Sequence, residues 1–295
     1  MTQSPFGLSA ALTTPFDTAG RCDAAVAVRH ARRCLDEGCA SVTLFGTTGE
    51  GSSIDQAERS RMLSAFAAAG LGGDRLVACV MANASGDAAA QAAEILNLGA
   101  RGVLLAPPSY FKNVSEEGVG RWFREVLQTL GEAARGIILY NIPSVTAVEL
   151  PVSLVAALRA EFPQAIAGVK DSSGNWSYTE RLLAEHRDLA ILIGDERSLA
   201  AGVRLGAQGA ISGLANVLAG RLSALIRDGR DDPALNELVE AVLRHPVTPA
   251  VKALVAHRTG EEGWTRVRAP LVSTPADGRA TLGRLLDGFR EAAAA

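Results

Sequence analysis

The chain has 295 residues, 48% of them hydrophobic and 5% aromatic, with 30 glycines. Such a composition describes a compact enzyme-like chain and excludes a disordered or fibrous one, although it does not separate one large α/β barrel from two small domains. A formal net charge of −3 with scattered basic residues gives no electrostatic reason to expect nucleic acid or an anionic membrane as partner. No apolar stretch approaches the ~20 residues of a membrane span, and Met1 to Leu12 carries neither a basic nor a long apolar leader region, so the expectation is a cytoplasmic protein.

Short apolar runs alternate with longer amphipathic segments. In chain order the predicted strands are Leu8–Leu12, Ser41–Phe45, Leu76–Val80, Gly102–Ala106, Gly136–Tyr140, Ala165–Val169, Ala190–Ile193 and Gly209–Ile211. Helical patterns lie between them, at Asp23–Glu37, Gln56–Ala69, Asp87–Leu98, Glu116–Leu130, Pro151–Glu161, Tyr178–His186 and Arg197–Leu205. Eight strands with short crossovers predict a parallel sheet closed as a (β/α)8 TIM barrel. A doubly wound open sheet is the alternative, but no GxGxxG follows the first strand. From Ala215 the strand signal stops and helices continue to Phe289. The expected organisation is a barrel over residues 1–214 and a C-terminal helical extension over 215–295.

Four cysteines, Cys22, Cys34, Cys39 and Cys79, form no CxxC pair and have no nearby histidines, so neither a zinc site nor a disulfide framework is expected. Among 29 basic residues only Lys112, Lys170 and Lys252 are lysines. In a chain that uses arginine for charge, each lysine is a candidate for amine chemistry, because a guanidinium does not act as a nucleophile.

Active sites of such barrels gather at the carboxyl ends of the strands. Lys170 ends the sixth apolar run, and desolvation at the barrel mouth would lower its amine pKa toward what attack on a ketone requires. The alternative is a strand-end lysine paired with Asp171. Tyr140 ends the fifth run and would enter the same mouth as a proton shuttle, or serve as a half-buried aromatic with a satisfied hydroxyl. After the second strand, Gly46-Thr47-Thr48-Gly49-Glu50-Gly51 offers backbone N–H groups and two hydroxyls as a nest for a carboxylate, with Glu50 read as a structural residue. A lysine, a tyrosine and an anion-binding turn at strand ends of one barrel suit a 2-keto acid. At the seventh strand end, Glu196 can accept hydrogen bonds from a polyol or pair with Arg197; Ser172 and Ser212 are further hydroxyl contacts.

Across most of its length the sequence resembles the dihydrodipicolinate synthase/N-acetylneuraminate lyase family of class I pyruvate-dependent aldolases. The matching pieces are Leu12-Thr-Thr-Pro-Phe16, Gly46-Thr-Thr-Gly-Glu50, Ala106-Pro-Pro-Ser-Tyr-Phe111, Tyr140-Asn-Ile-Pro-Ser144, Gly168-Val-Lys170 with Asp171-Ser-Ser-Gly174, Gly194-Asp-Glu196 and Ile211-Ser-Gly213. The resemblance implies that Lys170 forms a Schiff base, that Thr47 and Thr48 hold the carboxylate, that Thr48 relays protons to Tyr140, and that the carbonyl of Ile211 lines the pocket. It also implies a homotetramer that needs no metal or organic cofactor.

Two positions depart from the lysine-biosynthesis members. Val145 stands where those carry an arginine for the second substrate's carboxylate, and a gapless match puts Phe111 where they donate a tyrosine to a neighbouring subunit, leaving Tyr110 as a displaced substitute. Sugar-acid members carry an acidic residue where Glu196 lies. The leading expectation is cleavage or formation of a C–C bond in a 2-keto-3-deoxy sugar acid, with pyruvate as one partner. A Schiff-base dehydratase or deaminase, dihydrodipicolinate synthase and a non-catalytic keto-acid sensor are the alternatives.

Overall fold

The computed structural model describes residues 5–294, with side chains through Phe289. Among these, eight parallel strands close into a barrel in sequence order: β1 (Gly7–Ala11), β2 (Ser41–Leu44), β3 (Leu76–Val80), β4 (Gly102–Leu105), β5 (Ile137–Asn141), β6 (Ile166–Asp171), β7 (Ala190–Ile193) and β8 (Gly209–Ser212). The fold is the predicted TIM barrel. Two strands run past their apolar stretches, because Tyr140 pairs with Lys170 and Asn141 with Asp171, so the β5–β6 ladder continues through the polar residues that follow.

The helices between strands are α1 (Ala24–Asp36), α2 (Gln56–Ala68), α3 (Ser85–Asn97), α4 (Glu116–Leu130), a short α5 (Pro143–Thr146), α6 (Val152–Glu161), α7 (Trp176–Glu185) and α8 (Leu199–Arg204). Several begin on a side chain that satisfies an orphan N–H: Asp23, Asp55, Ser115 and Asn175 accept from Val26, Glu58, Gly118 and Tyr178. The barrel interior is filled by Val77, Cys79, Leu104, Ile138, Tyr140, Leu192 and Ile211, while a larger apolar layer lies between strands and helices. Strands buried on both faces explain the continuous apolar runs of the sequence.

Four helices follow β8: α9 (Ala215–Asp228), α10 (Pro233–Leu243), α11 (Val247–Thr259) and α12 (Ala276–Ala294). The first belongs to the barrel ring rather than to an appendage. It packs on β1 and beside α1 and α8, and Asn216 in its first turn donates to the carbonyls of Ala11 and Gly213, each at 2.7 Å. α9, from Ala215 to Asp228, thus takes a place in the ring of helices around the barrel. Among the described residues no helix is long and apolar enough to cross a membrane.

Candidate active site at the carboxyl ends of the strands

Lys170 sits in β6 with its side chain inside the barrel, 5% exposed, and Tyr140 is its register partner on β5, 2% exposed. The amine donates to Tyr140 Oη at 3.2 Å and lies 4.3 Å from the centre of the phenol ring. Among the described residues no carboxylate is within ion-pair distance of Lys170. Asp171, one residue on, faces the other way. Its carboxylate accepts from Asn141 Nδ2 at 3.1 Å, Thr179 Oγ1 at 2.6 Å and Ser173 N at 3.0 Å, so the alternative of a Lys170–Asp171 pair is not formed. Strand alternation is the reason. Cys79 shares the barrel interior, its thiol pushed up to about 12 by burial.

The other two lysines are committed elsewhere. Lys112 is exposed and donates to the carbonyls of Ser109 and Thr146. Lys252 is buried against Glu50, which bears out the structural role expected of that glutamate.

Thr47 and Thr48 lie in a tight turn after β2. Gly49 N and Gly51 N both donate to Gly46 O, and Glu50 N donates to Thr47 O. Phe45 at φ 59° and Glu50 at φ 54° adopt the left-handed conformation without being glycine, a cost of about 1–3 kcal/mol each that the surroundings must offset. Gly51 is required by space: a Cβ there would lie 1.8 Å from Phe45 O. Thr14 Oγ1 donates to Gly49 O at 2.7 Å and Thr248 Oγ1 to Thr47 O at 2.9 Å.

Thr47 Oγ1 is 3.4 Å from Tyr140 Oη, whereas Thr48 Oγ1 lies beside Gly213, 3.3 Å from where a Cβ would stand. The hydroxyl in contact with Tyr140 is therefore that of Thr47, while the Thr48 side chain lies toward Gly213. Neither the N–H of Thr47 nor that of Thr48 has a protein acceptor among the described residues.

At the ends of β7 and β8, Glu196 Oε1 accepts from Ser212 Oγ at 2.5 Å and from Leu214 N at 3.4 Å. Arg197 pairs with Asp195 instead, so Glu196 is not consumed by that arginine. Burial raises the Glu196 carboxyl above its ordinary value. Ser172 Oγ covers Gly194, where a Cβ would stand 2.0 Å away, and Ile211 occupies the interior face of β8.

Tyr110 is not brought to these residues. Its ring is 75% exposed and packs edge-on against Phe111, 73% exposed, because Asn83 Oδ1 accepts from both Ser109 N and Tyr110 N and holds that loop outward. Val145 is likewise exposed, on α5. Sequence reasoning missed Thr248, which no motif marks; Lys252 was marked only by the scarcity of lysine. Among the described residues no group of three or more His, Cys, Asp or Glu side chains is gathered as a metal site would need.

Residues 4–288 match the model of the Dihydrodipicolinate synthetase family. The "Uncharacterized DapA-like lyase" of Chloroflexus aurantiacus is 33% identical over 276 residues, 91% of each chain. The "4-hydroxy-tetrahydrodipicolinate synthase" of Salinibacter ruber is 29% identical over 295 residues, 96% of this chain and 94% of that one. A crystal structure of dihydrodipicolinate synthase from Agrobacterium tumefaciens superposes with a TM-score of 0.94 at 59% identity, covering 96% of this chain and 99% of that one. With the barrel, its strand-end residues and these matches in agreement, the chain belongs to the dihydrodipicolinate synthetase family and is an enzyme of its class I aldolase and lyase type.

Proposed function

We propose that Lys170 forms a Schiff base with the keto carbon of pyruvate, or of a 2-keto acid that yields pyruvate, and that the substrate is a 2-keto-3-deoxy sugar acid or a close hydroxylated 2-keto acid. The observation that carries the chemistry is the buried Lys170 amine, hydrogen-bonded to a phenol and, among the described residues, out of ion-pair reach of any carboxylate. An amine so placed attacks C2, and loss of water from the carbinolamine leaves an iminium. Tyr140, having passed its proton on toward Thr47, takes the proton of the C4 hydroxyl as the C3–C4 bond breaks. The bonding pair moves into the enamine and the aldehyde departs. Protonation of C3 and hydrolysis of the imine then release pyruvate and return the free amine. The unpartnered N–H groups of Thr47 and Thr48, with the Thr48 hydroxyl, form a nest for the substrate carboxylate.

Two residues support the hydroxylated substrate. Val145 supplies no charge for a second carboxylate, and Glu196, held by Ser212, supplies an acceptor for a polyol hydroxyl where the barrel opens. The competing reading is dihydrodipicolinate synthesis, the activity in the names of the Salinibacter and Agrobacterium proteins. A panel of 2-keto acids under coupled pyruvate detection, run beside condensation of pyruvate with aspartate semialdehyde, separates the two. The hydroxylated acids should have the higher kcat/KM, and Val145→Arg should raise the semialdehyde reaction by roughly 10-fold to 100-fold, the worth of one charge-assisted contact. A higher kcat/KM for the semialdehyde in the unmodified enzyme restores the lysine-biosynthesis reading.

The proposed assembly is a homotetramer in the cytoplasm. Covering the exposed Tyr110 and Phe111 rings with a second copy would remove a prominent apolar patch from water.

A further inference from the structure

We propose that α11, a helix beyond the closed ring of βα units, is the splint of the carboxylate-binding turn, and that Lys252 on it is a positioning residue for 2-keto acid binding. The proposal rests on the carboxylate role given to Thr47 and Thr48 above. Thr248, Val251 and Lys252 fall at i, i+3 and i+4, so one face of α11 presents all three. Thr248 Oγ1 donates to the carbonyl of Thr47 at 2.9 Å. Val251 Cγ2 packs beside Gly213, against the same spot as the Thr48 side chain. Lys252 Nζ donates to Glu50 Oε1 at 2.5 Å, with both side chains 0% exposed.

The turn needs such a support. Phe45 and Glu50 flank it in left-handed conformations that residues with side chains ordinarily avoid, and relaxation of either would swing Thr47 and Thr48 away from Tyr140 and Gly213. The Glu50 carboxylate is held at both oxygens, one by Lys252 and the other by Arg268 N at 2.8 Å. Its backbone is therefore fixed through its side chain. Lys252 Nζ also lies 4.2 Å from the centre of the Phe16 ring, so a slender ammonium fills a slot between an aromatic face and one carboxylate oxygen.

A buried ion pair is a poor device for stability alone, because desolvating two charges opposes their attraction and apolar replacements often serve as well. What it supplies is a single permitted geometry. An ammonium in this slot has, among the described residues, one carboxylate to meet, and meeting it sets the position of Glu50 and of the turn ahead of it. Glu50 joins the turn to α11 through charge, while Thr248 joins it through the backbone of the very residue whose hydroxyl faces Tyr140.

The test compares wild type with Lys252→Met, which keeps most of the volume and removes the charge. Two quantities are read: the pyruvate concentration that half-saturates borohydride trapping on Lys170, and amide hydrogen exchange in peptides spanning residues 45–51. Misplacement of the turn by a fraction of an ångström should raise the half-saturating pyruvate by about 10-fold or more, with trapping still complete at saturation. Exchange should quicken in the turn while β3 and β4 keep their protection. A half-saturating concentration within about twofold of wild type in the folded variant overturns the proposal, whatever happens to the melting temperature. If Lys252→Met does not fold, Thr248→Val removes the other tie, and an unchanged half-saturation there overturns it equally. Absence of any adduct in the wild type would be a failure of the Schiff-base reading. The splint is then judged by exchange alone, where unchanged protection of residues 45–51 in the variant rejects it.

Discussion

Lys170 keeps its amine available because β6 alternates: Lys170 enters the barrel while Asp171 turns outward to Asn141 and Thr179. The amine donates to Tyr140 Oη, and Thr47 Oγ1 lies beyond it. Tyr140→Phe should therefore retain pyruvate binding and lower kcat by about 10²-fold or more, the usual scale for a positioned acid or base. Steady-state kinetics with the best substrate of the panel checks this, and near-normal kcat would move the proton-transfer role to another group. Lys170 and Tyr140 were legible in the sequence because each closes an apolar run and strand alternation fixes its side. The different directions of the Thr47 and Thr48 side chains were not, since after Leu44 the chain leaves the strand and the turn that follows, with two left-handed residues, no longer alternates. The outward direction of Tyr110 within its own chain was not legible either: it follows from an asparagine 27 residues away that caps the loop.

At the scale of elements, the barrel closes where β1 meets β8, with Gly7 paired to Gly209. Gly209 has φ 146°, and a Cβ on it would stand 1.9 Å from Gly7 O. There is backbone on the other side of that contact, which cannot move aside as a flexible side chain would. Gly209→Ala should lower stability by about 3 kcal/mol or more, read as a shift in the urea midpoint at unchanged slope, or prevent folding. A midpoint like that of the wild type would mean the closure is looser than the register indicates. Strand existence and order were legible from apolar runs of the right length, whereas their ends moved by a residue or two because ladder pairing, not hydrophobicity, carries β5 and β6 onward. The identity of α9 as a barrel helix was hidden, because no strand follows it to complete a further βα repeat.

At the scale of the molecule, the segments beyond the ring of helices are tied back to the barrel by charge. Arg268 donates to both oxygens of Glu58 on α2, at 2.6 and 2.7 Å, and its backbone N–H holds Glu50. The Arg268 bonds draw the Glu58 carboxyl down to about 2 from an ordinary 4.5. A carboxyl lowered in the folded state contributes stability that is fully present above its unfolded value. That contribution is lost as pH falls from about 4.5 toward about 2, and should amount to about 2 kcal/mol. Urea unfolding across that window should show the loss in wild type and a flatter profile in Glu58→Gln; parallel profiles would remove Glu58 from the account of acid sensitivity. The same ties reach the turn that faces Tyr140, so a part of the chain outside the eightfold repeat contacts that turn.

The central claim is covalent attachment of the substrate to Lys170. Borohydride reduction in the presence of pyruvate, followed by peptide mass mapping, tests it directly, since reduction converts a reversible imine into a stable secondary amine. The predicted result is one reduced pyruvyl group on the peptide containing Lys170 and none in Lys170→Ala. An adduct on Lys112 or Lys252, or no adduct with any 2-keto acid of the panel, would contradict it.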